Sequence, residues 1–107
     1  MDLAETLKAL ADPNRLRILH LLGTRTLCVC DLEEVLGLQQ SNLSRHLAKL
    51  KQAGLVSAAK KGQFIYYTRR PAEAPYALAF DQLYQTMAAD PVWEADRQAL
   101  VARLGCC

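Results

Sequence analysis

Leu38-Gln39-Gln40-Ser41-Asn42-Leu43-Ser44-Arg45-His46-Leu47-Ala48-Lys49-Leu50-Lys51-Gln52-Ala53-Gly54 is the stretch that decides the fold. Leu43, Leu47 and Leu50 recur at i, i+4 and i+7, the spacing of one helix face. The residues between them are small, polar or basic, which leaves the opposite face to solvent or a partner. The helix begins at Gln39 or Ser41 and stops at Gly54. Just upstream, Leu32, Val35 and Leu36 make a shorter helix, with Gly37 at the position past a helix end where a left-handed residue is common. Two short helices joined by a Gly-containing turn, the second basic and polar outside, predict a helix-turn-helix.

Downstream, Leu55-Val56-Ser57-Ala58-Ala59-Lys60 and Gln63-Phe64-Ile65-Tyr66-Tyr67-Thr68 are joined by Lys61-Gly62. Gly after a polar residue between two β-rich runs predicts a hairpin. A hairpin directly after a helix-turn-helix is a wing, and Lys60, Lys61 and Gln63 fall at its tip, where a phosphate backbone passes. Upstream, Leu3, Leu7 and Leu10 mark a first helix. Asp12-Pro13 restarts the chain, because Asp is a good N-cap and Pro is tolerated in the first turn. The second helix turns Leu16, Leu19 and Leu22 inward and stops near Gly23. Pro71 to Pro75 is a linker. A long helix follows from about Tyr76, with Leu78, Leu83, Tyr84 and Met87 available for packing, and Asp90-Pro91 repeats the restart ahead of a final helix bearing Trp93, Leu100 and Leu104. The expected fold is mainly α with a β-hairpin wing: one winged helix-turn-helix domain over residues 1–107, with a C-terminal dimerisation helix and a Cys-bearing tail.

Charge distribution says more than net charge. From Val35 to Ala72 there is no Asp or Glu, and Arg45, Lys49, Lys51, Lys60, Lys61, Arg69 and Arg70 give that segment +7. The whole chain carries only +2, so the remainder sums to −5. A basic centre between acidic ends is the footprint of a nucleic-acid face. At 107 residues and 51% hydrophobic, the chain is long enough for one core. It shows no apolar run of membrane-spanning length, and its first residues lack the layout of a signal peptide, so no membrane partner and a cytoplasmic location are expected. In a reducing setting the four cysteines, in the pairs Cys28/Cys30 and Cys106/Cys107, read as ligands or redox groups rather than structural disulfides.

Three segments carry a resemblance. Ala9-Leu10-Ala11-Asp12-Pro13-Asn14-Arg15-Leu16-Arg17-Ile18-Leu19 resembles the opening signature of the ArsR/SmtB family of metal-responsive repressors. The stretch from Leu38 to Val56 resembles its recognition helix, and Leu27-Cys28-Val29-Cys30-Asp31-Leu32 resembles its arsenic-sensing branch. The resemblance covers roughly residues 3 to 70. It implies a homodimer that sits on double-stranded, palindromic operator DNA and leaves it on binding a metal or metalloid.

With its leucines committed to the core, the recognition helix offers Gln40, Ser41, Ser44 and Arg45 to a groove. Arg pairs bidentately with guanine and Gln with adenine, each worth about 1–3 kcal/mol of discrimination. Ser41, Asn42 and Ser44 near the helix start suit phosphate or base-edge hydrogen bonds. Lys49 joins the basic face. His46 reads as a packing or phosphate-contact residue rather than a metal ligand, and His20 as a partly buried core or interface residue. Taken singly, each polar residue is an ordinary solvated one; their place on the second helix of this motif is what distinguishes them.

On a regular helix a Cys-x-Cys pair points its sulfurs about 200° apart. In extended backbone, side chains at i and i+2 share a side. Cys28 and Cys30 lie where extended chain passes into the third helix, so gripping one ion there favours an extended or distorted helix start. Thiolates select soft ions, and the resemblance implies As(III) or Sb(III) as inducer, bound by three sulfurs, with no permanently bound cofactor. Arsenic-sensing members commonly show Cys-x-Cys-x-x-Cys, and here the last position is Glu33. Cys106 or Cys107, from either subunit, is the candidate to complete the set; otherwise the terminal pair makes its own site or contributes nothing.

Four sulfurs also suit tetrahedral Cd or Zn. The zinc-sensing route through histidines of a late helix is closed, because no His follows His46. Redox sensing is a further alternative: a disulfide within Cys28-Val29-Cys30 is expected to be strained, one between the two pairs less so. No phosphate loop, acid pair or supported Cys–His nucleophile is present, which argues against an enzyme. A metal-binding, protein-interaction winged helix without a DNA role is the alternative from another class.

Overall fold

The computed structural model describes residues 1–23 and 25–105. The elements are α1 (Leu3–Leu10), α2 (Pro13–Leu21), β1 (Leu27–Cys28), α3 (Val29–Leu36), α4 (Gln40–Gln52), β2 (Val56–Lys61), β3 (Phe64–Arg69), α5 (Ala77–Ala89), a 3-10 turn (Pro91–Trp93) and α6 (Glu94–Gly105). Leu43, Leu47 and Leu50 of α4 are fully buried and join Ile18, Leu19 and Leu22 of the α2 region with Leu32 and Leu36 of α3. Each such side chain removed from water contributes about 1.5–3 kcal/mol. The core thus lies under α4 and leaves its opposite face outward.

Capping fixes where the helices start. Asp12 Oδ1 accepts the backbone N–H of Asn14 at 2.8 Å and of Arg15 at 3.2 Å, with Pro13 in the first turn. Asp2 caps α1 through the Glu5 N–H, and Asp90 caps the 3-10 turn through the Val92 N–H. Gly37 ends α3 with φ +67°, a left-handed backbone that reverses the chain into α4 and that a Cβ would resist.

The wing forms one residue later than expected. Lys61 pairs with Phe64, so the two loop residues are Gly62 and Gln63 rather than Lys61 and Gly62. Gly62, at φ +62°, takes the first loop position, where a two-residue hairpin needs a residue that tolerates positive φ. A third strand is also present. β1 pairs antiparallel with β3, Leu27 opposite Tyr67 and Cys28 opposite Tyr66, giving the order β1-β3-β2.

Helices α1 and α5 each divide their apolar residues between the core and the surface. On α5 the buried residues are Phe80, Tyr84 and Met87, while Leu78 is 83% exposed and Leu83 is also exposed. On α1, Thr6, Ala9 and Leu10 face inward and Leu7 is 51% exposed. Spacing alone does not tell a core-facing stripe from one reserved for another surface. Arg69, counted among the basic residues, also turns inward. Its Nη1 donates to the Leu19 carbonyl at 3.1 Å, and its guanidinium lies 3.8 Å from the centre of the Tyr84 ring, fastening the base of the wing to α2 and α5.

The final helix straps the domain together. Arg17 donates from Nε and Nη2 to the two carboxylate oxygens of Asp96 at 2.8 and 3.0 Å, and Arg103 Nε donates to Asp31 Oδ1 at 2.8 Å. These pairs bind α6 to α2 and to the first turn of α3.

Candidate thiol site and nucleic-acid interface

Cys28 is the N-cap of α3, in extended backbone at φ −78° and ψ 158°, and Cys30 is the second residue of the helix. The side chains therefore leave from two kinds of backbone, and the 200° separation of a regular helix does not apply. Their Cα atoms are 5.3 Å apart and their sulfurs are joined in a disulfide. Once reduced, the two thiols sit on one side of the chain.

Asp31 completes the surroundings. Its backbone N–H donates to Cys28 Sγ at 3.4 Å, and its Oδ2 accepts the Cys28 backbone N–H at 3.3 Å, a reciprocal capping box. The two sulfurs and one carboxylate oxygen of Asp31 lie within 4.8 Å of one another, a cluster able to hold a soft ion once the thiols are free. The carboxylate is already engaged with Arg103, and a carboxylate is a poor ligand for a thiophilic ion. Cys106 and Cys107 lie outside the described residues.

The reading face is built as its positions suggest. Gln40, Ser41, Ser44, Arg45 and Lys49 are exposed along one side of α4, and Asn42 is half-buried with its Oδ1 accepting from Arg45 Nη2 at 2.6 Å. Lys60, Lys61 and Gln63 are exposed at the wing tip, with Lys61 Nζ 5.6 Å from the Tyr66 ring centre. His46 departs from this face. It is 6% exposed, with Nδ1 turned to Asp12 Oδ1 at 3.9 Å, so its role is packing between α4 and the cap of α2, not reaching a phosphate. Burial holds its pKa below the usual value, helped by Arg15, Arg45 and Lys49 and opposed by Asp12. His20 is half-buried beside Trp93, ring centres 5.9 Å apart, and burial lowers its pKa too.

Residues 12–58 match the family model described as "Bacterial regulatory protein, arsR family". A curated relative, "Arsenic resistance transcriptional regulator ArsR2" of Pseudomonas putida, is 36% identical over 93 residues, covering 86% of this chain and 79% of its own length. The chain belongs to the arsR family. The segment matched to the family model holds Asp12, both cysteines of the α3 start and the whole of α4. "Cadmium resistance transcriptional regulatory protein CadC homolog" of Staphylococcus aureus is also similar, 36% identical over 69 residues, covering 64% of this chain; the chain spans little more than half of that relative's length, 57%. Among solved structures, "Reduced HlyU from Vibrio cholerae N16961" superposes with a TM-score of 0.66 at 36% identity, over 78% of this chain and 85% of that one. The described residues form a winged-helix domain of this family of bacterial regulatory proteins, and the chain spans about half the length of several curated relatives it matches. No helix among the described residues is long and apolar enough to cross a membrane.

The sequence did not disclose β1 or the Asp31–Arg103 pair. A two-residue strand has no periodicity to read, and an ion pair between residues so far apart leaves no local signal.

Proposed function

We propose that this protein is a homodimeric repressor that sits on palindromic operator DNA and leaves it when As(III) or Sb(III) binds the reduced thiols of Cys28 and Cys30. One observation carries the reading. Cys28 simultaneously caps α3 and pairs with Tyr66 of the wing strand, while Cys30 lies in the first turn of the helix that precedes α4. A ligand that pulls both sulfurs onto one atom must therefore act on the capping box, on the start of α3 and on the wing. Those elements set where α4 and Lys60/Lys61 meet DNA.

The third sulfur comes from Cys106 or Cys107. In support, α6, which leads into that pair, is fastened to Asp31 by Arg103, and Asp31 adjoins Cys30. In the dimer, α1 and α5 face the partner copy, which accounts for the exposure of Leu7 and Leu78. A cytoplasmic protein is the setting this implies.

A second reading has its own observation. The Cys28–Cys30 disulfide makes thiol oxidation an input to the same element, and the oxidised pair offers no thiolates to an ion. Cd or Zn as inducer needs all four sulfurs in one site. Operator release by fluorescence anisotropy separates these readings, using reduced protein titrated with arsenite, antimonite, Cd and Zn, then oxidised protein without metal. Release by arsenite and antimonite at lower concentrations than by Cd or Zn supports the proposal. Indifference to arsenite with release by Cd or by oxidation alone overturns it.

A further inference from the structure

The wing ends in two large apolar side chains that the core does not use. Phe64 is 47% exposed and Ile65 45% exposed, at the opposite end of the hairpin from Arg69, which fastens its base. Each stands across from a cation: the register sets Lys61 opposite Phe64 and Lys60 opposite Ile65. Directly opposite residues share a face of a strand pair, so each face of the tip carries one apolar side chain and one ammonium. The two faces are not equivalent. Ile65 shares its face with Tyr67, which packs against the core. Phe64 shares the other with Tyr66, whose ring centre lies 5.6 Å from Lys61 Nζ. Phe64 is also the apolar residue nearest the turn, directly after the loop residues Gly62 and Gln63.

The charge around the tip selects its partner. No Asp or Glu occurs between Val35 and Ala72. A second copy of the tip would set Lys60 and Lys61 against like charges, and lysine is depleted from protein–protein interfaces. A polyanion with an apolar interior suits both kinds of side chain, and duplex DNA, with phosphates outside and stacked bases within, has that form. An anionic bilayer shares part of this chemistry, but the exposed Gln40, Ser44, Arg45 and Lys49 of α4 offer it no apolar group. Only Ala53, Gly54 and Leu55 separate α4 from β2. With α4 in a major groove, the hairpin leaving its end meets the adjoining minor groove, about 6 Å wide, which admits a narrow loop and not a helix.

We propose that Phe64 enters the minor groove as a wedge between two base pairs, with Lys60 and Lys61 on the flanking phosphates. This role presupposes that the protein binds operator DNA and is independent of the thiol site. Apolar side chains inserted in this way unstack a base step and kink the duplex. Pyrimidine–purine steps such as TA and CA open most easily. Phe64 reads no base edge; it favours sites with a deformable step at a fixed distance from the bases met by Gln40 and Arg45.

The test begins with duplexes selected from a random pool by the reduced, full-length wild type and by Phe64→Ala. Both should select the same half-sites, and the wild type alone should enrich a flanking TA or CA step. In the duplex selected by the wild type, 2-aminopurine at that step should brighten on binding, as an unstacked base does. Phe64→Ala should abolish the rise and bind about tenfold more weakly, the scale of one base–aromatic stack. Its salt slope should be unchanged, because no charge is removed. Ile65→Ala should keep the fluorescence rise. Failure of the wild type to select any duplex would overturn operator binding and the wedge together. Half-sites selected without a flanking step, or a fluorescence rise that survives Phe64→Ala, would overturn the wedge alone. So would a Phe64→Ala protein with unchanged DNA affinity and weakened binding to phosphatidylserine vesicles.

Discussion

Cys28 holds two roles in one sulfur. It accepts the Asp31 N–H at the start of α3, and it is half of the thiol pair. The roles separate by substitution. Cys28→Ser keeps an acceptor at the N-cap, so its stability should stay within about 0.5 kcal/mol of wild type, whereas Cys28→Ala loses the cap and about 1 kcal/mol. In thermal unfolding of the reduced proteins, Cys28→Ala should melt about 4–8 °C below Cys28→Ser. Equal melting temperatures would show that the sulfur does not cap. The histidines set a pH dependence. His20 and His46 both have folded pKa values below the ordinary 6.5, chiefly through burial, so the unfolded chain takes up protons first as pH falls. Stability is fully present above about pH 6.5 and declines as pH drops through the lowered folded values. Asp12 adds a loss at lower pH. Burial raises its pKa, but the N–H groups of Arg15 and Asn14, with His46, hold it below 3.8 on balance. Urea midpoints across this range should fall on acidification, and His46→Gln should flatten the upper part of that fall; a midpoint independent of pH between about 8 and 5 contradicts it.

At the scale of the elements, α4 and the wing should divide base reading from phosphate contact. Arg45→Ala should weaken binding to the cognate site by about 1–3 kcal/mol while leaving stability nearly unchanged. Lys60→Ala with Lys61→Ala should weaken all DNA similarly and reduce the slope of log affinity against log salt by about 0.9 for each phosphate no longer neutralised. An unchanged salt slope would remove the wing tip from the interface. Leu43→Ala, by contrast, should cost about 2–5 kcal/mol, because its side chain is fully buried under α4. That division was legible in the sequence, since Leu43, Leu47 and Leu50 against Gln40, Ser44 and Arg45 is a pattern with one helical solution. His46 was legible only as a packing or phosphate-contact residue, and its angular position among the leucines is the part of the pattern that favours packing. The hairpin was legible to within one residue, because Gly62 marks the turn but not which of its two loop positions it takes. The junction of Cys28 with β3 was not legible. It depends on a two-residue ladder formed only after the wing has folded.

At the scale of the molecule, the exposed leucines of α1 and α5 bear on assembly. Leu7→Glu or Leu78→Glu should shift sedimentation from dimer to monomer and reduce affinity for a two-half-site operator far more than for a single half-site. Monomeric wild-type protein that still binds the full operator tightly would remove dimerisation from the account. α6 closes the molecule on itself through Arg17–Asp96 and Arg103–Asp31, so the chain's last described turn is tied to the residue beside Cys30. That makes the terminal cysteines a question of chemistry as well as reach. Arsenite release of operator from the reduced wild type, from Cys28→Ser, and from Cys106→Ser/Cys107→Ser tests the central claim most directly. The account predicts release from the wild type, none from Cys28→Ser despite its intact fold and DNA binding, and release requiring at least about tenfold more arsenite from the terminal double variant, as expected when one strong ligand is removed. Arsenite release from Cys28→Ser as readily as from the wild type would contradict it.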